Sequence, residues 1–131
     1  SPPAAWPSSG SLQLIDFQPA PYSPHALPTM QPTTLSIAHR DHVAIVGRSG
    51  AGKSTLLAGV AQLLPIESGS LLIDGWSASD VPLRRWRRAI RVIPQDPLLL
   101  AGTVAYNLDP TGGVEEEALW EALRRAGLHQ V

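Results

Sequence analysis

Apolar and polar residues alternate along Leu12-Gln13-Leu14-Ile15-Asp16-Phe17, a length and period that predict a β-strand, and Thr34-Leu35-Ser36-Ile37 predicts another. Between them runs a proline-punctuated loop that carries Tyr22. Eight of the thirteen prolines fall between Pro2 and Pro32, which forbids a long helix there and leaves linker and short strands. His39-Arg40-Asp41-His42 is polar and turn-like. After it, Val43-Ala44-Ile45-Val46 is a short, wholly apolar run of the kind that a parallel sheet buries on both faces. Leu56, Leu57, Val60, Leu63 and Leu64 then recur at helical spacing, and Pro65 is expected to stop that helix. Gly59, in its middle, costs about 1 kcal/mol relative to alanine, which predicts a close helix contact at that point.

Ser70-Leu71-Leu72-Ile73 reads as a further strand, and Asp74-Gly75 as a tight turn after it. Asp80 is the expected N-cap of a helix that tolerates Pro82 in its first turn and presents Leu83, Trp86 and Ile90 on one face. Arg84, Arg85, Arg87 and Arg88 fill its other positions and read as a solvated face, with a phosphate or lipid contact as the lesser alternative. Arg91-Val92-Ile93 predicts a strand, broken where Pro94 and Pro97 flank Gln95-Asp96. Thr103 can cap a short helix through Tyr106, closed by Asp109-Pro110. Glu115-Glu116-Glu117 opens an amphipathic helix with Leu119, Ala122, Leu123 and Ala126 on its apolar side, Arg124-Arg125 at its end and Gly127 as terminator. There are no internal repeats.

Composition changes this picture little. The net charge of −1 gives no electrostatic reason to propose a nucleic-acid partner. The absence of cysteine excludes disulfides and thiolate metal sites, and the four histidines are scattered. No apolar run approaches the ~20 residues that span a bilayer, and no secretory leader is visible. A first residue of Ser1 rather than Met suggests a piece of something longer.

The chemistry is concentrated in Gly47-Arg48-Ser49-Gly50-Ala51-Gly52-Lys53-Ser54, followed by Thr55, which fits G-x-x-x-x-G-K-[ST]. Read with its surroundings, it is a strand, a phosphate-binding loop and a helix. Gly47 and Gly52 admit backbone conformations and close approaches that a Cβ would block, so that N–H groups can turn inward around a phosphate. Lys53 supplies a point charge to the terminal phosphates, and the Ser54 hydroxyl can ligand the accompanying Mg²⁺. The start of the helix favours an anion at the same place. A glycine-rich turn that merely ends in Lys-Ser is the minor alternative.

These residues together resemble the nucleotide-binding domain of an ATP-binding cassette (ABC) transporter, and more narrowly the second such domain of subfamily C, the multidrug-resistance-associated exporters. Besides the loop, Trp6-Pro7-Ser8-Ser9-Gly10-Ser11-Leu12 is similar to the family's entry from its last transmembrane helix into its first strand. Ile93-Pro94-Gln95-Asp96-Pro97, with Gly102-Thr103 and Asn107-Leu108-Asp109-Pro110, is similar to its Q-loop segment. The resemblance implies an α/β P-loop NTPase (ABC ATPase) core with an N-terminal antiparallel β subdomain, truncated before the helical signature region. Residues 1–10 would be a linker from a transmembrane domain, and residues 11–131 a partial nucleotide-binding domain. It implies that residues 47–55 hold the phosphates of ATP, that Tyr22 stacks on adenine, and that Gln95 with Ser54 approaches Mg²⁺. A tyrosine packed on the strand below it is the alternative for Tyr22. The implied partners are transmembrane domains and a second nucleotide-binding domain, at the cytoplasmic face of a membrane.

Three positions depart from the family pattern. Arg40 stands where glycine is usual, His42 where lysine is frequent, and Leu100 where phenylalanine is common. The family's signature motif, Walker B aspartate, catalytic glutamate and switch histidine would lie beyond Val131, so no residue here is assigned a catalytic role. The expectation is therefore ATP binding within an exporter, or alternatively a non-catalytic ATP-binding or regulatory fragment. A soluble P-loop kinase or GTPase is a further rival, but the chain shows no acceptor lid or base-recognition motif.

Overall fold

The computed structural model describes all residues except Pro24, Ala26, Pro28, Thr29, Gln130 and Val131. The chain divides into two compact units, Ser1–Val92 and Ile93–Val131. In the first unit, strands β1 (Leu12–Pro19), β2 (Thr33–Ile37), β3 (Ile66–Ile73) and β4 (Trp76–Ser77) form one sheet in the order β2-β1-β3-β4. Every pairing is antiparallel. Helices α1 (Lys53–Val60) and α2 (Leu83–Ala89) complete the unit. The second unit contains α3 (Val104–Leu108) and α4 (Glu116–Arg125).

The alternation that predicts β1 slips phase partway along it. Leu14 points inward, Ile15 and Asp16 are both exposed, and Phe17 and Pro19 are buried again. Two residues of β1, Asp16 and Phe17, lie between its pairings at Ile15↔Ser70 and Gln18↔Ser68, whereas β3 has only Gly69 there. This is a β-bulge, which bends the strand and restores the inward phase for Phe17. Thr34 of β2 replaces the lost ladder bonds: its hydroxyl accepts from the Asp16 N–H (2.9 Å) and donates to the Asp16 carboxylate (3.1 Å).

The core gathers Leu14, Phe17, Leu71 and Ile73 from the sheet, Leu56 from α1 and Trp86 from α2. Trp86 is fully buried, and its indole N–H donates to the Val60 carbonyl (2.9 Å). The close helix contact expected at Gly59 is one that α1 makes with strand β1: a Cβ there would lie 2.6 Å from the Pro19 Cβ and 3.0 Å from the tip of Phe17. Helix α1 ends earlier than Pro65. Gln62 adopts φ 52°, its N–H bonds the Gly59 carbonyl (2.9 Å), and the Leu63 N–H bonds the Ala58 carbonyl (2.8 Å). That is a Schellman stop, which closes the helix without the proline.

Asp74 and Gly75 link β3 to β4 in a two-residue turn with φ 49° and 75°, the type I′ combination whose twist matches a hairpin. Asp80 does not cap α2. Pro82 holds the cap position, with its carbonyl accepting from Arg85 and Trp86, while the Asp80 N–H closes a turn onto Ser77 (2.9 Å). The arginine face is also only partly solvated, since Arg85 donates to the Pro2 and Pro3 carbonyls and Arg87 to the Gln62 carbonyl.

Two expected strands do not form. Residues 43–46 and 91–93 are irregular, with Val46 88% and Ile93 95% exposed. An apolar strand buried on both faces requires parallel neighbours on either side, and no parallel pairing exists among the described residues. The antiparallel sheet is thus present, and of the P-loop core implied by the resemblance the loop and α1 are present, without a parallel pairing among the described residues.

In the second unit, Thr103 caps α3 by accepting from the Tyr106 N–H (3.1 Å), as expected. Asn107 clasps the preceding loop, accepting from the Leu100 N–H (2.7 Å) and donating to the Leu100 and Thr103 carbonyls. Gly127, at φ 74°, ends α4 in a second Schellman stop.

Candidate phosphate-binding loop

Residues 47–54 leave the irregular 43–46 segment and turn into α1, whose N-cap is Gly52. Gly50 and Gly52 take φ 80° and 91°, in the left-handed region that glycine enters without penalty. Gly47 does not need that freedom. Its requirement is space, because a Cβ would sit 3.2 Å from the Ala51 Cβ. The Ala51 N–H closes a turn onto the Arg48 carbonyl (3.1 Å), and Leu56 makes the first helical bond onto Gly52 (2.8 Å).

The Lys53 side chain folds back over this loop, and its ammonium donates to the carbonyls of Gly47 (2.7 Å) and Arg48 (2.8 Å). One cation is thereby held at the mouth of the loop, beside the positive end of α1. Those carbonyls are neutral acceptors, so an anion at the mouth would offer the ammonium a stronger, charge-assisted partner. Ser54 is exposed on the first turn of α1, whereas Thr55 is buried.

An open cavity of about 450 Å³ adjoins the loop and is lined by Ala51, Gly52, Lys53 and Leu56 together with Met30, Gln31, Thr33, Ile45 and Val46. The apolar run 43–46 is a sequence signal for two of these. Met30 and Gln31 carry none, because they reach the cavity only by preceding β2.

Tyr22 is 65% exposed and is not among the residues lining this cavity. Gln95 belongs to the second unit and lies on an exposed bend. The structure therefore gathers the loop residues around Lys53, and describes Tyr22 and Gln95 separately. Arg40, in the turn before the 43–46 segment, has φ 65°, a conformation that costs a side chain about 1–2 kcal/mol. Arg40→Gly is expected to stabilise the chain by about 0.5–1 kcal/mol, measured as a raised urea midpoint with an unchanged slope.

The first unit is thus a small α/β unit with an antiparallel sheet, whose glycine-bearing loop is closed by a lysine at the start of a helix. The family model described as ABC transporter matches residues 30–131. The chain is 38% identical over 128 residues to the pleiotropic ABC efflux transporter of multiple drugs from Candida glabrata, covering 98% of this chain and 8% of that protein. It is 38% identical over 127 residues to the ATP-dependent bile acid permease of Saccharomyces cerevisiae, covering 97% of this chain and 8% of that protein. It is 34% identical over 126 residues to ABC transporter C family member 15 of Dictyostelium discoideum, covering 96% of this chain and 9% of that protein. The chain belongs to the ABC transporter family, which implies ATP binding. It spans less than a tenth of the length of these curated relatives.

Proposed function

We propose that this chain is the N-terminal part of the second nucleotide-binding domain of a subfamily C exporter, and that residues 47–55 hold the phosphates of MgATP. The observation that carries this reading is the Lys53 ammonium resting on two neutral carbonyls at the mouth of a loop whose Gly52 adopts φ 91°. A triphosphate fits such a site. It exchanges weak partners for charged ones, and the loop has no Cβ at positions 47, 50 and 52 to obstruct its approach. Ser54 would ligand Mg²⁺, which would neutralise charge on the phosphates. Tyr22 would give adenine a stacking face from its exposed position.

In the whole protein, this domain would work with transmembrane domains and a second nucleotide-binding domain at the cytoplasmic face of a membrane. ATP hydrolysis there would drive export of a small molecule. Residues 1–10 would carry the chain in from a transmembrane domain. The exposed runs at 43–46 and 91–93 fit this reading, since each has the composition of a strand that still needs neighbours.

The test is equilibrium binding of a fluorescent ATP analogue with Mg²⁺. Lys53→Ala is expected to weaken binding about 10- to 100-fold, the loss of a charge-assisted phosphate contact. Tyr22→Ala is expected to cost about tenfold for the adenine analogue, with guanine and adenine nucleotides competing comparably because stacking is tolerant of the base. Unchanged affinity in Lys53→Ala would remove the phosphate-site assignment. A strong preference for guanine would point instead to a GTPase.

A further inference from the structure

The residues preceding β1 are tied to the first unit far more firmly than a proline-rich linker requires. Asp74, in the β3–β4 turn, accepts from three backbone N–H groups of that segment, those of Ser8 (2.7 Å), Ser9 (2.9 Å) and Ser11 (2.9 Å). The hydroxyls of Ser9 and Ser11 donate to the same carboxylate. In return, the Asp74 N–H donates to the Ser11 carbonyl (3.0 Å). One side chain thus satisfies a run of backbone donors that would otherwise face water. Burial raises its carboxyl, but the Ser9 hydroxyl and the N–H groups of Ser9, Gly10 and Ser8 outweigh that and hold it well below the usual carboxylate range.

Two further fastenings flank this one. The Trp6 indole is buried, donates to the Ile73 carbonyl (3.0 Å) and lies 5.8 Å from the Trp86 ring. Arg85 stacks 5.6 Å over Trp6 while donating to the carbonyls of Pro2 and Pro3. The segment is therefore held by its own Trp6 indole and by a guanidinium and a carboxylate from two other places in the sequence. Of these, Asp74 is the one that grips residues 8–11, where the His39 ring also meets the Ser9 carbonyl.

We infer that residues 6–11 are a docked strap and that Asp74 is the latch that fixes it to the β3–β4 turn, so that strap and turn move as one body. With the latch closed, a displacement of the chain before Trp6 is delivered to β3, which pairs with β1, rather than absorbed in a flexible joint. With it open, residues 8–11 lose that carboxylate, while the Trp6 indole, the Arg85 bonds to Pro2 and Pro3 and the His39 contact with the Ser9 carbonyl still hold the segment. The device depends on no nucleotide, so it stands or falls separately from the ATP-binding reading.

Hydrogen exchange of this chain, read amide by amide in the absence of nucleotide, tests the latch. Asn tolerates the left-handed backbone that position 74 requires, so Asp74→Asn keeps the turn while removing the charge and one acceptor oxygen. Exchange at Ser8, Ser9 and Ser11 is expected to speed up about tenfold, with Leu14 and Leu71 keeping their protection. Ser9→Ala, which leaves the turn untouched, is expected to give a loss of about threefold confined to the same segment. Unchanged exchange at residues 8–11 in both variants would overturn the latch. An equal loss at Leu14 and Leu71 in both would also overturn it, since Asp74 would then be only a general stabiliser of the sheet.

Discussion

Trp86→Ala is expected to destabilise the first unit by about 4–5 kcal/mol, the top of the range for large aromatic truncations. The side chain is fully buried, so the cavity left behind would be lined on all sides. The substitution also strips the Val60 carbonyl of its indole donor (2.9 Å) at the last residue of α1 and removes the ring against which Trp6 packs. Each loss adds to the transfer cost of the ring itself. Against a typical total of 5–15 kcal/mol for a domain, a change of this size removes most of the margin. Urea titration followed by far-UV circular dichroism would register it as a collapse of the midpoint. Trp86→Phe should recover more than half of the loss, because it refills most of the volume and forgoes only the hydrogen bond and the outer ring. If Trp86→Ala cost less than about 2 kcal/mol, the indole would not be the keystone of α1, α2 and the strap that its contacts describe.

Gly69→Ala is expected to cost about 3–5 kcal/mol, and its partner measurement is Gly75→Ala at about 1 kcal/mol. The two glycines have nearly the same φ, 77° and 75°, so the strain of placing an alanine at that positive φ is common to both. Their surroundings differ. A Cβ at Gly75 meets nothing within 4 Å, whereas one at Gly69 lies 2.2 Å from the Asp16 carbonyl oxygen and 2.4 Å from that of Ile15. Backbone cannot swing aside as a flexible side chain can, so β1 and β3 would have to part at the bulge. The difference between the two variants isolates that steric cost from the conformational one. Equal destabilisation by urea titration would show that the bulge opens freely and that Gly69 is there only for its φ.

The bulge also shows why part of the fold escaped a reading of periodicity. The outward pair Ile15-Asp16 is the trace it leaves in the sequence, but a strand read alone cannot distinguish a phase slip from an exposed isoleucine. Gly69, far along the chain, supplies the explanation. The arginines of α2 make the same point: spacing set them apart from Trp86, but only tertiary packing turned Arg85 onto Trp6 and Arg87 onto Gln62. Asp80 looked like a cap because it precedes a proline and an apolar run, yet α2 starts after Pro82 and leaves Asp80 in the preceding turn.

What the sequence determined by itself was whatever its own near neighbours enforce. The Thr103 cap, the Asp74-Gly75 turn, the Gly127 stop and the order of residues from Gly47 to Ser54 all depend on bonds within a few positions, and residue type alone constrains those. Family membership was legible for the same reason, since it is carried by short local motifs. Only the tertiary structure decided which apolar runs became strands. Residues 43–46 have the composition of a buried strand and remain irregular and exposed, because a strand exists by its pairing and they pair with no strand among the described residues. It also decided that the segment before β1 is a fastened strap, because a hydrogen bond from Ser8 to Asp74 joins residues whose meeting no local pattern encodes.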